Sequence, residues 1–197
     1  MNSEVFNIGK ELLSAALDHS AESFAYMTDV QAQIIDTTFE RSDLSKINLI
    51  GHGQILLLKT ELVGTISGIN YFILTQNEVK TLCNHCFEHE LLEAKAQSMA
   101  IEFLKEIENV TAAAAVSIIA ERLDTELFGD VPKIHAVEGG LARYTLEHEL
   151  NKLDADAMLL SKIHIPELGI APQILWFFGK NLGRQLASVD RKLLKSA

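Results

Sequence analysis

Apolar residues near the start of the chain recur at three- and four-residue intervals: Val5, Ile8, Leu12, Ala16 and Leu17. That spacing lays them along one stripe of a helix. Ser3 is a suitable N-cap, so the pattern predicts a helix from about Ser3 to about Phe24. Ala25 to Thr38 reads as strand-like, and two β-rich runs follow, Gln54–Leu62 and Gly64–Leu74. In the first run Ile55, Leu57 and Lys59 point one way and Leu56, Leu58 and Thr60 the other. Both sets begin apolar, which predicts a strand covered on both faces for most of its length. A short helix, Asn77 to about Phe87, precedes the longest helical pattern, about Leu91 to Leu123, which is rich in Ala and lacks Gly and Pro. Pro132–Val137, Leu141–Glu147 and Met158–Ile165 each read as strands, and Pro172 to Leu186 reads as a closing helix.

Both halves therefore read helix, three strands, helix, and such repeats shape the whole fold. The expectation is one α+β domain over residues 1–197, made of two α-β-β-β-α repeats of about 1–90 and 91–197. Short matches support the repeat: Glu4-Val5-Phe6-Asn7 in the first helix answers Glu106-Ile107-Glu108-Asn109 in the long one.

Composition narrows the function classes. A formal net charge of −10 repels phosphate backbones and anionic membrane, so neither nucleic acid nor membrane is expected as a partner. The start, MNSEVFNIGKELL, lacks the basic region and apolar run of a signal peptide, and no apolar stretch is long enough to span a bilayer. Two cysteines are too few for a disulfide framework. A cytoplasmic protein is the expectation.

Candidate chemistry centres on the long helix. Glu106 and Asn109 are three apart and share a face, with Glu102 one turn before and Ala113 one turn after. Leu104, Ile107, Ala114 and Ile118 should face the core. An Asn amide donates and accepts at once, so it can hold and aim a water molecule. A Glu can pair with a partner's lysine, and a neighbouring Ala lets a partner backbone approach. Cys83, Cys86, His89 and Glu90 suggest metal, but a closed zinc site needs four well-placed ligands. The expectation there is a plain helix with one buried thiol and no metal. Gly51-His52-Gly53 and Gly139-Gly140 read as turns, and Trp176-Phe177-Phe178 as core or interface.

The spacing Glu102-x3-Glu106-x2-Asn109-x22-Pro132 resembles the signature of the CheC/CheX/FliY chemotaxis phosphatases: Asp or Ser, three residues, Glu, two residues, Asn, twenty-two residues, Pro. Glu102 departs from the Asp or Ser of that pattern. Glu4-x2-Asn7-Ile8-Gly9 looks like the family's other helix start, but its Pro position holds Val30, which marks a degenerate second copy. The resemblance implies one continuous sheet with two long helices on one face. It implies docking on a phosphorylated CheY-like response regulator, with Asn109 orienting the attacking water and Glu106 binding the regulator's lysine. The regulator would supply the phospho-aspartate and Mg²⁺, so this chain would bind no cofactor. A non-catalytic module for a response regulator or a CheD-like partner is the alternative, and either a monomer or a homodimer fits.

Overall fold

The computed structural model describes residues 3–43, 53–87 and 94–195, without the side chains of 94–97 and 190–195. The chain order is α1 (Ser3–Thr28), β1 (Gln33–Arg41), β2 (Gln54–Gly64), β3 (Gly68–Thr75), α2 (Gln76–Cys86), α3 (Ala94–Leu123), β4 (Leu127–Gly129), β5 (Lys133–Glu138), α4 (Gly139–Leu153), β6 (Ala155–His164), β7 (Gln173–Gly179) and α5 (Asn181–Lys195).

All seven strands join one antiparallel sheet in the order β1-β6-β7-β3-β2, with β4 and β5 sharing the far edge of β2. Taken as one broken edge strand, β4 and β5 make the order a palindrome: they answer β1, β2 answers β6, and β3 answers β7. A pseudo-two-fold axis thus passes between the central strands β3 and β7. Because α1 and α3 pack against each other, they lie on the same face of the sheet. The axis must then stand perpendicular to the sheet, which makes α1 and α3 antiparallel. The Ser20 hydroxyl donates to the Thr111 carbonyl across this seam at 2.8 Å.

Alternation along the strands divides the core into two layers. Leu58, Phe72, Leu74, Trp176 and Phe178 pack under α1 and α3. Leu57, Tyr71, Ile73, Leu175 and Phe177 face the other way, under Ala142 and Leu146 of α4. The helix α4 is tied down by Lys59, whose ammonium lies 2.6 Å from Glu149 and 2.9 Å from Glu61. Burial pulls the Lys59 pKa down, but the two carboxylates outweigh it and raise it overall.

Three readings of the sequence are corrected. Leu141–Glu147 is not a strand but part of α4, because Ala142 and Leu146, four apart, seal one spot of the sheet. Pro172–Leu186 is not one helix: the run Gln173–Gly179 is the central strand β7, and α5 begins at Asn181. A continuous apolar run fits a buried helix or a strand covered on both faces, and the two layers here select the strand. The first helix also runs on to Thr28, so only the later part of Ala25–Thr38 is strand.

Gly64 ends β2 at φ +130°, with the carbonyl of Glu126 where a Cβ would stand. Gly64→Ala should lower the unfolding free energy by about 2 kcal/mol or more. Gly53→Ala, at φ +102° in open space, should cost about 1 kcal/mol. Urea unfolding of the two variants checks this ordering.

Candidate functional site

The long helix α3 presents its polar stripe to solvent. Glu102, Glu106, Asn109 and Ala113 are all exposed, whereas Leu104 and Ile107 are buried against the core. Glu102 is engaged by Lys105 at 2.8 Å, an exposed pair of modest worth. Among the described residues, no side-chain hydrogen bond or ion pair holds Glu106 or Asn109. The two stand one turn apart and free, with the methyl group of Ala113 one turn further on. This surface offers a carboxylate and a carboxamide, with steric room for an approaching backbone.

Pro132 is buried and does not reach this surface. It stands where the edge strand breaks between β4 and β5. The amide of Asp130 donates to the Glu61 carbonyl at 2.8 Å, and the amide of Val131 turns to the Asp130 side chain at 2.8 Å. Lacking an N–H, a proline suits a place where the ladder is interrupted.

Glu4 and Asn7 lie exposed on the first turns of α1, but the repeat pairs them with other residues. The buried positions of α1 are Val5, Gly9, Leu12, Leu13, Ala16, Leu17, Ser20, Ala21, Phe24 and Thr28. A shift of 95 residues carries each onto a buried position of α3, from Ala100 and Leu104 to Ile119 and Leu123. Each helix is also followed by an aspartate at positive φ, Asp29 at 55° and Asp124 at 49°. In this register Glu4 answers Met99 and Asn7 answers Glu102. The equivalents of Glu106 and Asn109 are Glu11, which is exposed, and Ser14, which is half-buried. The Pro132 position falls on Thr37, inside the bulge of β1 between Ile35 and Thr38. The four-letter match at Glu4–Asn7 sits two helical turns early. Burial periodicity over the whole helix, rather than a short word, carries the register.

Glu108 was not singled out from the sequence, although its place three residues before Thr111 and four after Leu104 puts it on the core stripe. It is fully buried, and its Oε1 accepts from the Thr60 hydroxyl and the Asn70 carboxamide, each at 2.8 Å. Burial pushes its carboxyl pKa up to about 8, against the downward pull of these two bonds.

Cys83 and Cys86 of α2 are free thiols. Burial, with a smaller push from Cys86, raises the Cys83 thiol to about 11, so little of it is thiolate at neutral pH. Among the described residues, no three His, Cys, Asp or Glu side chains gather as metal ligands, and His89 and Glu90 lie outside those residues, as do Gly51 and His52. No described helix is long and apolar enough to cross a membrane.

No protein-family model and no curated protein matches the chain. Solved structures do. The chain is similar to FliY of Thermotoga maritima, at 13% identity and a TM-score of 0.73, with 98% of each chain covered. It is similar to CheX in a CheX-CheY-BeF3-Mg²⁺ complex from Borrelia burgdorferi, at 12% identity and a TM-score of 0.58, covering 84% of this chain and 96% of that one. A FliM-SpeE complex from H. pylori contains a third, at 8% identity and a TM-score of 0.62, covering 96% and 98%. The chain therefore has the fold shared by CheX, CheC-like and FliY proteins.

Cys83 should resist a thiol reagent in the native protein at pH 7, while Cys86, less buried, labels first. Mass spectrometry of protein labelled with and without denaturant reads the difference. Equal labelling rates in the native state would contradict the burial of Cys83.

Proposed function

We propose that this chain docks on a phosphorylated CheY-like response regulator and hydrolyses its aspartyl phosphate. The observation that carries this reading is the pair Glu106 and Asn109, side by side, exposed and unpartnered on a long helix of the CheX-like fold. One such CheX is described in complex with CheY, BeF3 and Mg²⁺. In this reading the protein acts in the cytoplasm, in chemotaxis or a related two-component pathway.

The regulator brings the phospho-aspartate, its Mg²⁺ and a lysine, and the metal supplies charge neutralisation at the phosphoryl oxygens. The Asn109 carboxamide holds one water, its Oδ1 accepting a hydrogen bond so that the water's lone pair is aimed at phosphorus. The new bond forms between water oxygen and phosphorus as the bond to the aspartyl oxygen breaks. The products are the regulator's carboxylate and inorganic phosphate, which keeps the two protons of the water. Glu106 pairs with the regulator's lysine and so fixes the orientation of the complex. Positioning of this kind is a large part of phosphoryl-transfer catalysis.

A second reading, a binding module for a regulator or CheD-like partner without turnover, is favoured by two departures. Glu102 stands where the signature has Asp or Ser, and Ser14 stands at the place on α1 that answers Asn109. Phosphate release from a phosphorylated regulator, with and without this chain, separates the two readings. Docking of the beryllofluoride-loaded regulator without release supports the module.

Asn109→Ala should lower the release rate by about 10²-fold, as loss of a group used in the transition state does, and change docking by less than about threefold. Glu106→Ala should weaken both rate and docking, because its lysine contact persists throughout. Asn7→Ala should matter less than Asn109→Ala. A phosphate-release assay at saturating regulator, paired with a binding titration, measures all three. A larger loss from Asn7→Ala would move the main site to α1.

A further inference from the structure

Glu108 is a fully buried carboxyl with no countercharge among the described residues. The groups that face it are neutral: Thr60 from β2, Asn70 from β3, and beside Asn70 the Trp176 indole of β7. The charged neighbours of Thr60 along β2, Lys59 and Glu61, lie on the opposite face of the sheet with Glu149 of α4. On α1, the buried polar residues Ser20 and Thr28 are bonded to backbone carbonyls. On α3 itself, Glu102, Glu106 and Asn109 point to solvent and Lys105 is engaged with Glu102.

The hydrogen-bond count bears on the form in which Glu108 is held. Among the described residues, Oε1 accepts two bonds, Oε2 and Asn70 Oδ1 are buried acceptors without a donor, and the Trp176 Nε1 beside Asn70 is a buried donor without an acceptor. Even with the Trp176 N–H turned to one of them, an ionised Glu108 leaves at least one buried acceptor unmatched, at a cost of about 1–3 kcal/mol. One proton on Oε2 turns an acceptor into a donor, and an acid and an amide then match each other's donor and acceptor. Packing does not demand a polar group here. At the equivalent place on α1 stands Leu13, equally buried.

We propose that Glu108 is a positioning residue carried as a neutral carboxylic acid, clamped to Thr60 and Asn70, that fixes the rotation of α3 so that Glu106 and Asn109 face outward. At 3.6 residues per turn, Glu108 points about 200° from Glu106 and about 100° from Asn109. A grip on the sheet at Glu108 therefore sets the angle of both. The effect on docking rests on the proposed regulator function; the neutral acid and the grip on α3 do not.

Three measurements test this. The first is unfolding stability from pH 4.5 to 9 for the parent chain and Glu108→Gln, whose amide mimics the neutral acid. The unfolded chain releases the Glu108 proton near pH 4.5 and the folded chain holds it to about 8. The parent should therefore lose stability across that window and then level off. At pH 7 it should unfold about 300-fold more readily than Glu108→Gln, and the gap should close near pH 4.5. Parallel pH profiles for the two proteins overturn the neutral acid.

The second is amide hydrogen exchange in α3, which needs no partner. Glu108→Leu fills the space as Leu13 does but has no polar grip, so it should fold and yet exchange faster across residues 106–113. Unchanged exchange overturns the grip. The third is docking and phosphate release between pH 6.5 and 9. The parent should decline as the pH passes about 8 while Glu108→Gln stays level. Full docking and release by Glu108→Leu at every pH overturns the positioning role. A parent chain that neither docks nor releases phosphate sinks the regulator reading alone, because the first two measurements still decide Glu108.

Discussion

Two antiparallel helices share one face of the sheet, and at their seam a small side chain, Ser20, reaches the backbone of the other helix. The Ser20 hydroxyl of α1 bonds directly to the Thr111 backbone carbonyl of α3 across the seam, and Ala16, Ala112 and Ala115 are buried. This contact ties the two helices together. Each buries the same set of positions and turns the same stripe outward. The sheet beneath supplies the matching symmetry, with β3 and β7 at its centre. The exposure of Glu106 and Asn109 follows from this packing rather than from anything in their own chemistry.

Symmetry of backbone does not carry symmetry of side-chain chemistry. The outward stripe of α3 reads Glu102, Glu106, Asn109, and that of α1 reads Asn7, Glu11, Ser14. The carboxylate persists while the carboxamide has become a hydroxyl on a shorter side chain, half-buried rather than exposed. Beneath the same turn the contrast is sharper, a buried acid under one helix and Leu13 under the other. The two halves thus share their burial pattern but not the chemistry at each matched position.

Much of the fold was legible in the chain. The helix of Val5, Leu12 and Leu17, the strands from Gln54 and the Ala-rich helix all carry local periodicity that tertiary structure preserves. The stripe of Glu106 and Asn109 was legible for the same reason. What failed were segments whose pattern is set by what covers them. The run ending Trp176-Phe177-Phe178 is apolar throughout because β7 is covered on both sides, and nothing local separates that from a buried helix. The segment after Gly140 was misread because its two inward residues, Ala142 and Leu146, are few and its outer face carries Leu141 and Tyr144, both exposed. The register of the repeat was misread because a short word, Glu-x-x-Asn, recurs by chance more readily than ten matched buried positions do.

The interruption at Pro132 has a consequence for how copies of this chain meet one another. Beside it the sheet ends in an edge that carries Phe128 and Val131, exposed at 63% and 73%. An unbroken edge strand bearing such residues is a template on which another chain can add a strand and start an aggregate. Here the edge is split into a three-residue and a six-residue piece, and in the link between them the Asp130 amide is taken up by the Glu61 carbonyl and the Val131 amide by the Asp130 side chain. Neither piece offers a long straight ladder. The break at this proline thus shortens the ladder that the edge offers to another chain.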